Sequence, residues 1–101
     1  MKTIINGRLY NTDTATLVGE HSNGYFPNDF NYMEEYLYQK TSGEFFIFGK
    51  GCPMTRYAER VGTARTFGIE IRPLTITEVK FWVEEHLSVN TYIELFGEPE
   101  E

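Results

Sequence analysis

The stretch Gly43 to Gly51, G-E-F-F-I-F-G-K-G, followed at once by Cys52-Pro53-Met54-Thr55, is where chemistry would first be sought. A phosphate-binding loop needs G-x-x-x-x-G-K-[ST], so that backbone amides wrap the phosphates and a hydroxyl reaches magnesium. Here five residues separate Gly43 from Gly49, and Gly51 stands where the hydroxyl should be. The run Phe45-Phe46-Ile47-Phe48 suits a pleated, half-buried strand rather than a tight loop. Nucleotide binding fails on both spacing and context.

Cys52 would be a nucleophile if a neighbouring base or a helix N-terminus lowered its pKa, and Pro53 suggests a helix start just beyond it. The only histidines are His21 and His86, and nothing in the sequence brings either to Cys52. A lone cysteine reads more simply as a small packing residue. With no His-x-x-x-His, no paired cysteines and no Asp-rich loop, no metal or cofactor is expected. Glu34-Glu35 and Glu84-Glu85 are adjacent rather than convergent, so they read as solvated charges and not as an acid/base pair.

The elements that position these residues follow from local patterns. Asn6-Gly7 between Thr3-Ile4-Ile5 and Arg8-Leu9-Tyr10 predicts a tight hairpin, because Asn-Gly takes the positive φ angles of a type I′ turn. Asn11 to Thr14 is turn-rich, Ala15 to His21 predicts a short strand interrupted by Gly19, and Ser22 to Asn31 reads as a loop around Pro27. Glu35 to Gln39 and Glu44 to Phe48 predict a second hairpin closed by Gly43. Gly49 and Gly51 are expected to release the chain from the sheet, so that Pro53 opens a short helix through Val61, stopped by Gly62. Residues 63 to 68 read as a loop, and Ile69 to Arg72 as a strand.

Thr75-Ile76-Thr77-Glu78 fits a capping box, with Leu74 placed to staple against Val79. Ile76, Val79, Trp82, Val83, His86 and Leu87 form the apolar stripe of the helix that follows. Ser88 caps a second helix through Tyr92, Ile93 and Phe96, stopped by Gly97 and Pro99. Strands first and helices last predict one α+β domain over 1–101. It would hold an antiparallel sheet of four to five strands, a short helix, and two C-terminal helices packed on the sheet.

The chain length of 101 residues and the 16% aromatic content fit a folded domain with a modest core. No apolar run reaches membrane-spanning length, the N-terminus lacks a signal-peptide core, and one cysteine suits a reducing compartment. A cytoplasmic location with no membrane partner is expected. Net charge is −6 and unevenly placed: residues 1 to 72 hold eight cations and eight anions, whereas residues 73 to 101 hold only Lys80 against seven glutamates. That asymmetry disfavours general nucleic-acid binding, which needs cations to neutralise phosphates.

Two surfaces remain. Glu78, Glu84, Glu85 and Glu94 on the terminal helices would present phosphate-like charge to a basic protein surface. Lys50, Arg56, Arg60, Arg65 and Arg72 outnumber Glu59 and Glu70 between residues 50 and 72, which leaves a local basic patch for a nucleic-acid-associated regulator as the alternative. The aromatic strands invite comparison with single-strand RNA platforms, although most of their rings are expected in the core.

K-T-I-I-N-G-R-L-Y-N-T-D-T-A-T, Y-L-Y-Q-K-T-S-G-E-F-F-I-F-G-K-G, P-M-T-R-Y-A, I-R-P-L-T and Y-I-E-L-F-G together resemble a family of small proteins from phages, plasmids and integrative elements of Firmicutes. Cys52 stands where that family usually has a second glycine before the proline, which makes an essential thiol less credible. The resemblance implies no catalytic residue. It implies a non-enzymatic accessory factor of a mobile element, of the kind that includes anti-CRISPR inhibitors occupying the nucleic-acid surface of a Cas effector.

Overall fold

The computed structural model describes residues 1–101. Strands β1 (Lys2–Ile5) and β2 (Arg8–Asn11) form the first hairpin, with Asn6 at φ 51° and Gly7 at φ 77° as the type I′ turn requires. The central antiparallel sheet has the order β3-β4-β5-β8, from β3 (Thr16–Ser22), β4 (Met33–Gln39), β5 (Phe45–Gly51) and β8 (Gly68–Leu74). Helices α1 (Ile76–His86) and α2 (Val89–Phe96) close the chain. The architecture is α+β, as the order of the segments implies. No helix is long and apolar enough to cross a membrane.

The register of the sheet decides what each face holds. Leu37 pairs with Ile47 and Ile47 with Arg72, while Glu35 pairs with Gly49 and with His21, so these residues share one face. Val79, Trp82 and Val83 of α1 pack there with Leu37, Phe45 and Ile47 to form the main core. Burying such side chains contributes about 1.5–3 kcal/mol each. On the opposite face Tyr10 of the first hairpin covers Phe46 and Ile71. The Phe46 ring lies 5.5 Å edge-on from Tyr10 and 5.4 Å from the stacked Tyr38 ring.

Both terminal helices begin as expected. Thr75 accepts from the Glu78 amide while Glu78 accepts from the Thr75 amide, which completes the capping box; Ser88 accepts from the Thr91 amide, and Gly97 ends α2 at φ 84°. Ile76, placed on the apolar stripe by spacing, is instead 57% exposed at the first turn.

The short helix expected from Pro53 to Val61 is absent. Residues 53 to 57 form turns, and β6 (Glu59–Val61) pairs with β7 (Ala64–Thr66) in a separate two-stranded ribbon. The Thr55 hydroxyl bonds the Cys52 carbonyl and accepts from the Tyr57 amide, competing with helical bonding. Gly62, at φ 64°, is the turn residue of the ribbon and not a helix terminator.

Gly49 and Gly51 do not release the chain from the sheet either. Both lie inside β5, where a Cβ at Gly49 would enter the Tyr57 ring and one at Gly51 would enter the Thr55 hydroxyl. Glycine here makes room for a loop that crosses the sheet. In β3 the irregularity falls between Leu17 and Gly19 as a bulge, and the strand continues past it; Leu87 of α1's C-terminus fills the space a side chain at Gly19 would need.

Candidate functional site

Glu34 and Glu35, read from sequence as two solvated charges, point to opposite faces. Glu34 lies with Lys50, 2.9 Å away, and accepts from the Tyr32 hydroxyl. Glu35 turns inward and is only 4% exposed. Period-two alternation was the available signal, since Glu35 is in phase with the buried Leu37.

Three donors meet the Glu35 carboxylate. Trp82 of α1 donates its indole N–H to Oε1 at 3.0 Å, and Arg72 of β8 donates to Oε2 at 3.2 Å. The Tyr57 hydroxyl from the crossing loop donates to Oε2 as well. Burial pushes the Glu35 carboxyl up, but the hydrogen bonds from Tyr57 and Trp82 and the Arg72 charge outweigh it and hold the group below the usual carboxylate range. Burial and the Glu35 hydrogen bond push Tyr57 up to about 12. Only the Arg72 Nε is buried without a hydrogen-bond partner.

The cluster forms the floor of a cleft of about 370 Å³, walled by Arg56, Thr77, Glu78, Phe81, Glu85 and His86. General acid/base chemistry at neutral pH needs a group titrating near 7 with an open lone pair. Glu35 has both oxygens engaged and Tyr57 titrates far too high. The geometry is that of a structural ion cluster which joins sheet, helix and loop.

His86 lies at the cleft's edge, its ring stacked on His21 at 3.8 Å and 5.0 Å from Trp82. Burial lowers the His86 pKa from its ordinary 6.5, His21 lowers it further, and Glu35 and Glu85 oppose them. The folded state therefore binds this proton more weakly than the unfolded chain does, so stability declines as pH falls below about 6.5. Urea midpoints followed by circular dichroism from pH 7.5 to about 5.5 are expected to fall, and more shallowly for His86→Gln; equal slopes would remove His86 as the cause. His21 and His86 are thus brought together, but not beside Cys52, whose thiol faces the Pro27 carbonyl at 3.7 Å. No group of three or more His, Cys, Asp or Glu side chains converges for a metal.

The four glutamates singled out on the terminal helices are all exposed, yet they are not equivalent. Glu78 is committed to the cap of α1, Glu84 and Glu85 are free of it, and Glu94 stands on the exposed side of α2. Phe81 lies between them, 63% exposed, with Glu78 three residues before it and Glu84 and Glu85 three and four residues after.

The basic set divides as well. Lys50 is paired with Glu34 and Arg72 with Glu35, whereas Arg56, Arg60 and Arg65 are exposed and form no ion pair. Among the strand aromatics, Phe45 and Phe46 are buried on opposite faces, while Tyr36, Tyr38 and Phe48 stay half-buried on the face away from the helices, Tyr36 and Phe48 as a cross-strand pair at 6.3 Å.

Compared with protein-family models, curated proteins and solved structures, the chain matches none.

Proposed function

We propose that the protein is a non-enzymatic, protein-binding accessory factor of a mobile genetic element, acting as an inhibitor of a host-defence complex such as a Cas effector. The observation that carries this reading is Phe81, a large ring left exposed on α1 within helical reach of Glu78, Glu84 and Glu85. An aromatic anchor surrounded by carboxylates suits a basic protein surface: the ring fills a pocket, and the charge speeds encounter. The same arrangement would occupy a surface that otherwise receives phosphates. The resemblance to small mobile-element proteins supplies the biological setting.

A plasmid-interference assay tests this. The wild-type chain is expected to protect an otherwise targeted plasmid, and Phe81→Ala combined with Glu84→Lys, Glu85→Lys and Glu94→Lys is expected to lose that protection by at least tenfold, an aromatic anchor alone contributing about 2 kcal/mol. Glu78 is left unchanged because its substitution would also uncap the helix. Undiminished protection by the variant would reject the acidic face, and no protection by the wild type would reject the defence setting.

A further inference from the structure

The β6–β7 ribbon pairs only with itself, and all six of its residues are exposed. Its central rung places Arg60 directly opposite Arg65. Like charges so placed repel, and neither arginine has a carboxylate partner to relieve the repulsion. By contrast Arg8, Lys40, Lys50 and Arg72 are all ion-paired. Alternation turns Glu59 to the other face of the ribbon.

A second feature adjoins this one. The Met54 amide bonds the Phe30 carbonyl at 2.8 Å and the Cys52 amide bonds the Tyr32 carbonyl at 2.9 Å, so the loop around Pro27 and the loop after β5 run side by side. Phe26, Phe30 and Met54 are 80%, 68% and 65% exposed on these loops. Arg65 reaches across and donates to the Thr55 carbonyl at 3.1 Å, between Met54 and the unpaired Arg56. Through Arg65 the ribbon therefore adjoins the loops that carry these exposed rings, and the Arg60 side chain is left with neither an ion pair nor a hydrogen bond. Asp29, on the loop around Pro27, is occupied by the backbone and side-chain amides of Asn31.

We infer that the ribbon and these loops bind single-stranded nucleic acid, with Arg56, Arg60 and Arg65 following the phosphates while Phe26 and Phe30 stack on bases. Unpaired arginines supply the charge complementarity, and rings at loop tips can reach bases that a duplex keeps stacked. An acidic protein surface would also satisfy the arginines, and it is the competing outcome that the test below separates. Arg56 also walls the cleft that holds Glu78 and Glu85, so the test rests on Arg60 and Arg65, which lie on the ribbon and not on α1.

Fluorescence anisotropy of the full chain with a labelled oligothymidylate of roughly 20 nucleotides decides it. Binding is expected at about 20 mM salt and should weaken roughly 100-fold by 200 mM, the slope for three phosphate contacts to a single strand. R60E/R65E, and the milder R60Q/R65Q, should each weaken binding at least about tenfold while the circular-dichroism spectrum stays that of the folded chain, and F26A/F30A about tenfold through lost stacking. No binding at low salt, indifference to both arginine variants, or indifference to F26A/F30A would overturn the inference. Polyglutamate bound as tightly as the oligonucleotide would overturn it in favour of an acidic protein surface.

Discussion

Glu35→Ala is expected to lower the unfolding free energy by about 3–5 kcal/mol, the cost of leaving a buried charge without its partner. The loss has three parts. Arg72 keeps its charge under the loop, and the Tyr57 hydroxyl and the Trp82 indole N–H lose their acceptor. For a domain of this size, each kcal/mol lowers the thermal midpoint by about 4–8 °C, so calorimetry should see a fall of more than ~12 °C. Tyr57→Phe removes a single donor and should cost about 1.5–3 kcal/mol. Replacing Glu35, Tyr57 and Arg72 together by apolar residues of similar volume should cost far less than Glu35→Ala alone, because no orphaned charge remains. A Glu35→Ala protein melting within about 1 kcal/mol of wild type would show that the carboxylate is not held as described.

The same site gives a pH signature. Because Glu35 is held below its ordinary 4.5, its contribution is complete above that value and is lost as pH falls through the lower, folded-state value. Glu35→Gln should remove this acid-side component and, because the Glu35 charge supports protonation of His86, deepen the loss of stability below about pH 6.5.

The second large effect is expected at Gly68, the first residue of β8. A Cβ there would meet the Tyr57 carbonyl oxygen and the Glu59 amide nitrogen, which are backbone atoms that cannot rotate away. Gly68→Ala should therefore cost about 3 kcal/mol, the upper end for overpacking, measured by urea denaturation. Gly49→Ala meets only the Tyr57 ring, which can swing aside at the expense of its bond to Glu35. The indole N–H resonance of Trp82 distinguishes the two: it should move more in the Gly49 variant. A Gly68→Ala protein as stable as wild type would mean that the loop from Cys52 to Ala58 is not packed on the sheet.

The residues whose signals are local were read correctly. Asn6-Gly7, the Thr75 to Glu78 capping box and Gly97 specify their turns and caps through their own backbone preferences, and the structure shows each of them. What was not legible depends on partners distant in the chain. Pro53 followed by Tyr57, Ala58 and Val61 has the spacing of a helix, but the Tyr57 ring is drawn down to a carboxylate 22 positions earlier, and that contact outweighs a weak local preference. Gly49 and Gly51 looked like strand breakers because nothing nearby shows what crosses above them. Glu35 was the one recoverable miss, since its phase with Leu37 was already visible. The division of the basic residues into paired and unpaired sets required the fold, because Glu34 and Glu35 take Lys50 and Arg72 from strands that only the sheet brings alongside.

The sheet face is covered by two pieces of different kinds, helix α1 at one end and the loop from Cys52 to Ala58 at the other, and they meet at a single carboxylate. If the loop lifts away, Trp82 loses part of the environment that keeps its acceptor charged and dry; if the helix lifts away, Tyr57 suffers the same loss. Neither can open cheaply by itself. Loop and helix thus become one cooperative unit, and amide exchange in the turn residues should proceed at the rate set by the core rather than at the fast rate usual for a surface loop.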